Sequence, residues 1–167
     1  YNHNETAQLL FKTPFNGKLL VTVERNKILE YHQLETKDKT ASLTLDLNEQ
    51  HIPNIYINAT LIKKMADNSL PLTVAHGLIN ISINKEKTEI PVSISCAENS
   101  RSKTKQNIKI KTLPNAEVTV SIVDEGILSI KNFKSPNPFQ YFYQKKKAIS
   151  HFNNIFVYKK NMILSLL

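Results

Sequence analysis

Residues 53–62 read P-N-I-Y-I-N-A-T-L-I, and the apolar residues of this segment occupy every second position. Successive side chains of a β-strand point to opposite faces of the sheet, so this alternation is typical of a strand with one buried face. No segment before residue 140 has a sustained helical period, so the sequence predicts an all-β protein. The same alternation occurs in the runs that contain Leu19, Val21 and Val23; Leu43, Leu45 and Leu47; Ile79, Ile81 and Ile83; Ile90, Val92 and Ile94; Ile108 and Ile110; and Val118, Val120 and Ile122.

The spacing of these runs predicts two modules rather than one. The runs lie roughly ten residues apart with polar turns between them, which is typical of antiparallel sandwiches that need about seven strands each. The charged stretch at residues 84–89 has no apolar anchor and is the expected seam. We expect a sandwich over residues 1–87, an incomplete second sandwich over residues 88–147, and a tail over residues 148–167.

Three motifs in one order resemble bacterial α2-macroglobulin-like proteins, in the part just before the protease bait region. They are P-F-N-G-K-L-L-V-T-V-E-R at residues 14–25, the segment at residues 53–62, and V-D-E-G-I-L at residues 123–128. The last is followed by F-K-S-P-N-P, an aromatic run and three lysines. The resemblance covers most of residues 8–147. It implies tandem macroglobulin-type sandwiches of the fibronectin/Ig-like kind, the second interrupted by the bait region. The tail over residues 148–167 would then be the start of a bait-like region.

The resemblance also implies a function. The chain would be a structural fragment of a protease trap in the bacterial periplasm or cell envelope, and not an enzyme. In such a trap, an attacking endopeptidase cuts the bait and the assembly collapses around it. The implied partners are target endopeptidases and the remaining domains of the same trap. The alternative from another class is an envelope adhesion or ligand-binding β-sandwich, which would need a groove lined by exposed aromatic residues.

Lys145, Lys146 and Lys147, here called the lysine triplet, are the candidate protease-cleavable segment. Three consecutive lysines suit any protease with an acidic primary pocket. The same residues beside aromatics could bind an acidic membrane surface or stack with single-stranded nucleic acid, or form a solvated basic linker. The resemblance favours the cleavable segment, because bait regions begin just after such a stretch.

Asp124, Glu125 and Gly126 form a candidate structural motif rather than a catalytic one. Neighbouring carboxylates on a strand point to opposite faces and rarely share a substrate. Gly126 favours a bulge or tight turn, in which the Asp124 carboxylate accepts local N–H bonds.

Other sites are disfavoured by residue counts and spacing, so we expect no catalytic, cofactor or metal site. Cys96 is the sole cysteine, which excludes an internal disulfide and a cysteine-based zinc site. Its context, C-A-E-N, lacks the glutamine that a C-G-E-Q thioester requires, and we expect a half-buried thiol at a strand end. The five histidines have no metal-ligand spacing, and the three glycines are too far apart for a phosphate-binding loop.

The formal net charge of +8 is concentrated at the end of the chain, where seven lysines and no acid follow Glu125. The chain has only two arginines, Arg25 and Arg101. Proteins that recognise specific DNA bases usually depend on arginine guanidinium groups, which lysine cannot replace. We therefore expect no nucleic-acid partner. No apolar run approaches the ~18 residues of a spanning helix, so we expect no direct membrane insertion.

Overall fold

The computed structural model describes residues 1–64, 73–101, 103–130, 133–148 and 158–166. The chain divides into two compact units. The first combines Tyr1–Lys85 with Tyr143–Leu167, and the second is Glu86–Phe142. None of the helices in the described ranges is both long enough and apolar enough to span a membrane.

Strands dominate the regular structure, which confirms the predicted all-β class. The strands are β1 (Thr6–Lys12), β2 (Gly17–Glu24), β3 (Ile28–Glu35), β4 (Thr40–Asp46), β5 (Asn54–Lys63), β6 (Thr73–Ser82), β7 (Ser93–Ser95), β8 (Lys109–Lys111), β9 (Tyr158–Asn161) and β10 (Ile163–Leu166). The helices are α1 (Glu125–Ile130), α2 (Pro138–Phe142) and two short 3-10 helices, Glu49–His51 and Glu86–Thr88.

The first unit is a β-sandwich of two sheets. A three-stranded sheet has the order β10-β1-β4, and a five-stranded sheet has the order β3-β2-β5-β6-β9. Neighbouring strands are antiparallel except for the β6–β9 pair, which is parallel. The alternating apolar residues of β1, β2, β4, β5 and β6 meet in one core, as the period of two predicts. The largest fully buried apolar side chains of this core are Phe11, Leu9, Leu19, Leu45, Leu47, Ile55, Ile57, Leu61 and Ile81.

The tail returns to the first unit. Strand β9 pairs with β6 and β10 pairs with β1, so residues 158–166 supply an edge strand to each sheet. We expected residues 148–167 to form a tail and assigned no structure to it. The two observed strands are only four residues each, which leaves a weak pattern in the sequence.

In the described part of the second unit, the regular structure is the β7–β8 pair, α1, α2 and one 3-10 helix. The strand predicted around Val118, Val120 and Ile122 is wrong, because residues 116–124 form no regular element. All three side chains are exposed, as are Ile90, Val92 and Ile94 around β7. An alternating run gains little from becoming a strand when no facing layer buries its apolar side. The described residues of this unit therefore do not close a sandwich.

Candidate functional site

The lysine triplet lies on the first unit, with all three lysines exposed. Its middle residue is held by Asn54, which begins β5 and is only 1% exposed. The Lys146 N–H donates to Asn54 Oδ1 at 2.8 Å, and Asn54 Nδ2 donates to the Lys146 carbonyl oxygen at 3.1 Å. A carboxamide carries one acceptor and one donor group, so a single side chain satisfies both backbone groups of one residue.

Tyr56 adds a third hydrogen bond to the same residue. Its hydroxyl donates to the Lys146 carbonyl oxygen at 3.1 Å. Asn54 and Tyr56 are two positions apart on β5, so both side chains project from the same face of the strand. A carbonyl oxygen has two lone pairs and can accept from both donors. We call this arrangement of Asn54, Tyr56 and the Lys146 backbone the asparagine clamp.

A second anchor precedes the clamp at Tyr143. The Tyr143 side chain packs against the core of the sandwich, and its carbonyl oxygen accepts from Lys85 Nζ at 2.8 Å. A hydrogen bond from an ammonium group is stronger than one from a neutral donor. The backbone is thus fixed at residues 143 and 146, while the lysine side chains extend into solvent.

Most of the aromatic run contributes no comparable anchor. Phe133, Tyr141 and Phe142 are exposed. Tyr141 and Phe142 contact each other edge to face, with ring centroids 5.3 Å apart.

Asp124 caps helix α1. It does not lie in a bulge or in a tight turn between strands. Its Oδ1 accepts from the Gly126 N–H at 2.8 Å, and Glu125 is the first residue of the helix. An aspartate before the first turn satisfies a backbone N–H that has no partner within the helix. Both carboxylates are exposed, and the hydrogen bond from Gly126 is a local backbone contact. A structural role for Asp124, Glu125 and Gly126 stays a prediction.

Two polar clusters in the first unit were not found from the sequence. In one, Asn58 Nδ2 donates to Thr22 Oγ1 and to Glu24 Oε1, both at 3.2 Å, and the Thr22 hydroxyl also donates to Glu24. All three residues are buried. They lie on neighbouring strands, β2 and β5, where Thr22 and Asn58 are directly opposite. Only knowledge of that register could have placed them together.

The other cluster surrounds the buried side chain of His51. Its Nδ1 accepts from the Asn48 N–H at 3.2 Å, and its Nε2 lies 3.5 Å from Glu30 Oε1. Burial lowers the pKa of His51 below its usual value of 6.5, and Glu30 offsets part of this effect while Arg25 adds to it. The neutral imidazole is therefore favoured, which suits a structural residue.

Residues with metal-binding or nucleophilic chemistry do not converge in the described ranges. No group of three or more His, Cys, Asp or Glu side chains there could hold a metal ion. Cys96 directly follows β7 and is exposed rather than half-buried.

An open cleft of about 780 Å³ in the second unit bears on the ligand-binding alternative. The cleft lies beside β7 and β8, and Ile90, Val92 and Leu113 contribute apolar surface to it. Its described lining contains no aromatic residue, whereas that alternative requires exposed aromatics along a groove.

The family model of the α2-macroglobulin bait region domain matches residues 1–130. The chain belongs to this family. The resemblance inferred from the three motifs is therefore confirmed. The matched range includes Asn54, Tyr56 and Asp124, and the lysine triplet lies 15 residues beyond its end.

Curated relatives of this bait region domain protein are named α2-macroglobulins. The chain is 20% identical to an α2-macroglobulin homologue of Yersinia pestis over 148 residues, which is 88% of this chain and 7% of the relative. It is 23% identical to that of Rickettsia conorii, over 87% of this chain and 8% of the relative. The Escherichia coli protein is 24% identical, over 88% of this chain and 10% of the relative. The chain thus spans no more than a tenth of the length of these relatives.

Proposed function

We propose that this chain is a scaffold part of an α2-macroglobulin-like protease inhibitor, and that the lysine triplet is the site at which a target endopeptidase first cuts it. The observation that carries the proposal is the display of three exposed lysines on a backbone fixed by the asparagine clamp. Family membership supplies the context. The role is that of a substrate and structural support, not of an enzyme.

The clamp divides the three peptide bonds that follow the lysines. The bond after Lys145 includes the Lys146 N–H, and the bond after Lys146 includes the Lys146 carbonyl, so the clamp engages both. The bond between Lys147 and Ala148 lies outside the clamp. Because a protease must take the scissile segment in an extended, accessible form, we expect the first cut after Lys147.

The partners follow from the charge of the segment. An acidic primary pocket would accept a lysine side chain, and seven lysines without an acid after Glu125 strengthen the attraction. In the proposed inhibitor, the remaining domains would respond to the cut, and the protein would act in the periplasm or at the cell envelope, where such proteases are met.

Limited digestion of the full chain with trypsin, followed by intact-mass measurement, tests the proposal. The expected first product ends at Lys147, and further cuts after Lys145 and Lys146 follow more slowly. The matched control changes Lys147 to Gln, which keeps the backbone and removes the preferred site. Early cuts at other exposed lysines, such as Lys103 or Lys105 of the second unit, with the triplet intact would overturn it.

A further inference from the structure

The peptide bond between Lys145 and Lys146 has an anchor on each side. On its amino side, the Tyr143 side chain packs against the sandwich core, and the Tyr143 carbonyl oxygen accepts from Lys85 Nζ. On its carboxyl side, the asparagine clamp holds the Lys146 backbone through three hydrogen bonds. Only Gln144 and Lys145 lie between the two anchors. Cutting this bond therefore leaves both new chain ends attached to the same sandwich.

The clamp holds Lys146 in an extended conformation, the form in which proteases take their substrates. Asn54 contacts both the N–H and the carbonyl oxygen of this one residue. In a β-ladder, an extended residue likewise presents both groups to a single partner residue. Asn54 is buried at the start of β5, so its carboxamide is a fixed partner. The segment is thus pre-organised, which lowers the ordering cost of binding.

Lys145 is the residue of the triplet that a protease can bind without breaking the clamp. A serine protease places the carbonyl oxygen of the cut residue in its oxyanion hole. For Lys146, this oxygen would have to leave its two donors on Asn54 and Tyr56. The Lys145 carbonyl is not part of the clamp, and the Lys145 side chain is exposed. An acidic primary pocket can therefore receive Lys145 while Lys146 stays on β5.

We propose that residues 143–146 form a substrate-like inhibitory loop for serine proteases with an acidic primary pocket, and that the bond after Lys145 is cut reversibly. The serine oxygen attacks the Lys145 carbonyl carbon, and the C–N bond to Lys146 breaks. The Lys146 nitrogen receives the serine proton through the catalytic histidine, and Lys145 remains on the enzyme as an ester. The inhibitory loop rests on the proposed function of the lysine triplet as a protease site, and adds that one of its bonds blocks the protease.

The clamp decides which reaction follows. The Lys146 amine stays bonded to Asn54 beside the ester, and its attack restores the peptide bond and returns the proton to the serine oxygen. Hydrolysis instead requires a water molecule to displace the serine oxygen. Well-oriented groups within one complex react at effective concentrations of roughly 10⁵–10⁸ M, so the held amine competes with water. The protease thus stays occupied at a bond that it hydrolyses slowly. The bond after Lys147 lies outside the clamp, so a first cut there leaves the inhibitory loop in place.

Return of the cut bond is the first test. The full chain with Lys146→Gln and Lys147→Gln keeps Lys145 as the only lysine of the triplet, and the clamp is retained because it uses only the backbone of residue 146. Chain that is cut after Lys145 is collected after brief digestion and incubated with a catalytic amount of trypsin. Intact-mass measurement should show the uncut chain returning, lighter by one water, until cut and uncut starting material give the same mixture. A chain that stays entirely cut overturns the proposal.

Inhibition of trypsin is the second test, measured with a small lysine anilide as the competing substrate. The double variant should inhibit competitively. Adding Lys145→Gln should raise its inhibition constant at least about 30-fold, because the side chain that fills the primary pocket is lost. Inhibition that survives Lys145→Gln overturns the proposal, as does a double variant that is neither cut after Lys145 nor inhibitory.

Asn54→Ala in the double variant separates the inhibitory loop from an ordinary cleavage site. It keeps Lys145 but releases Lys146, so the uncut chain should no longer return. Net hydrolysis should rise by a factor of about 5 to 140, and Tyr56→Phe should give a smaller increase. Equal return of the bond with and without Asn54 would contradict the proposal. The proposed function is judged separately, by the first cut in the parent chain. A first cut after Lys147 without return at Lys145 would overturn the inhibitory loop alone.

Discussion

The two units contain the same alternating apolar pattern and use it differently. In the first unit, Ile57 of β5 is fully buried between two sheets. In the second, Ile122 lies in an equally regular alternation and is 77% exposed. The difference shows that alternation specifies which side of a strand is apolar, whereas a facing layer decides whether the strand forms and contributes to stability.

The largest expected effect comes from removing the same side chain in both units. Ile57→Ala should lower the free energy of unfolding by about 2–5 kcal/mol, because it leaves a cavity in a close-packed core. Ile122→Ala should change it by less than about 0.5 kcal/mol, since solvent already surrounds the side chain. Urea unfolding followed by circular dichroism measures both. Equal losses would show that the second unit buries Ile122 in solution.

Replacing a glycine by alanine should lower the stability of the first unit and raise that of the second. A Cβ on Gly17 would lie 2.2 Å from the Ile62 carbonyl oxygen of β5, a backbone atom that cannot move freely. We expect Gly17→Ala to destabilise by about 1–3 kcal/mol through overpacking.

The matched change in the second unit is Gly126→Ala. There the nearest atom to the added Cβ is Asp124 Oδ1, at 3.0 Å, on an exposed side chain that can rotate away. Alanine favours the helix over glycine, so we expect α1 to gain up to about 1 kcal/mol. Thermal melts of the two variants measure the contrast, and two changes of the same sign would contradict it.

The asparagine clamp offers a comparison of proteolysis between the units. Asn54→Ala removes two hydrogen bonds of about 0.5–1.5 kcal/mol each, so local opening around Lys146 should rise by a factor of about 5 to 140. Initial trypsin rates after Lys145 and Lys146 should increase accordingly. Tyr56→Phe, which removes one bond, should have a smaller effect.

Cuts after Lys103 and Lys105 in the second unit serve as the internal reference for these rates. The clamp does not involve either residue, so both rates should stay at the parent value. A general increase at all sites would mean that Asn54→Ala unfolds the sandwich instead of releasing the clamp.

The smallest expected effect is a loss of stability at low pH. It concerns only the first unit, because residues 86–142 contain no histidine. Burial lowers the pKa of His51 in the folded chain, so the unfolded chain binds the proton more readily. Stability is fully present above the unfolded value of 6.5 and falls as the pH drops from 6.5 towards the lowered folded value. Melts at about pH 7.5 and about pH 5.5 should show a decrease that His51→Gln reduces. An unchanged decrease in that variant would assign the effect to other groups.

The parts of the fold that were predicted from the sequence are those with a local signal. Strands β2 and β5 follow from long alternations of apolar and polar residues. Helix α1 was missed because an apolar run interrupted by Asp124 reads equally well as a strand end. Only the capping bond to Gly126 distinguishes the two.

The parts that were missed depend on residues far apart in the chain. The clamp joins Asn54 to Lys146 across 92 positions, and nothing in the sequence near either residue indicates the other. The lysine triplet itself was found as a basic segment, but its fixed backbone was not. In β9 and β10 the apolar alternation covers only residues 162–166, which is too short a run to predict a strand.

Strands β9 and β10 also set the order in which the sandwich can be completed during synthesis. Strand β6 ends at Ser82, whereas its outer neighbour β9 ends at Asn161 and β10, the outer partner of β1, ends at Leu166. At about 5–20 residues per second, the ribosome needs roughly 4–17 s to make the 84 residues between Ser82 and Leu166. Throughout that interval the edge strands on this side are β1 and β6, of seven and ten residues, instead of the four-residue strands β10 and β9. Because short edge strands pair less readily with other chains, the newborn protein is more exposed to strand-mediated aggregation than the finished one.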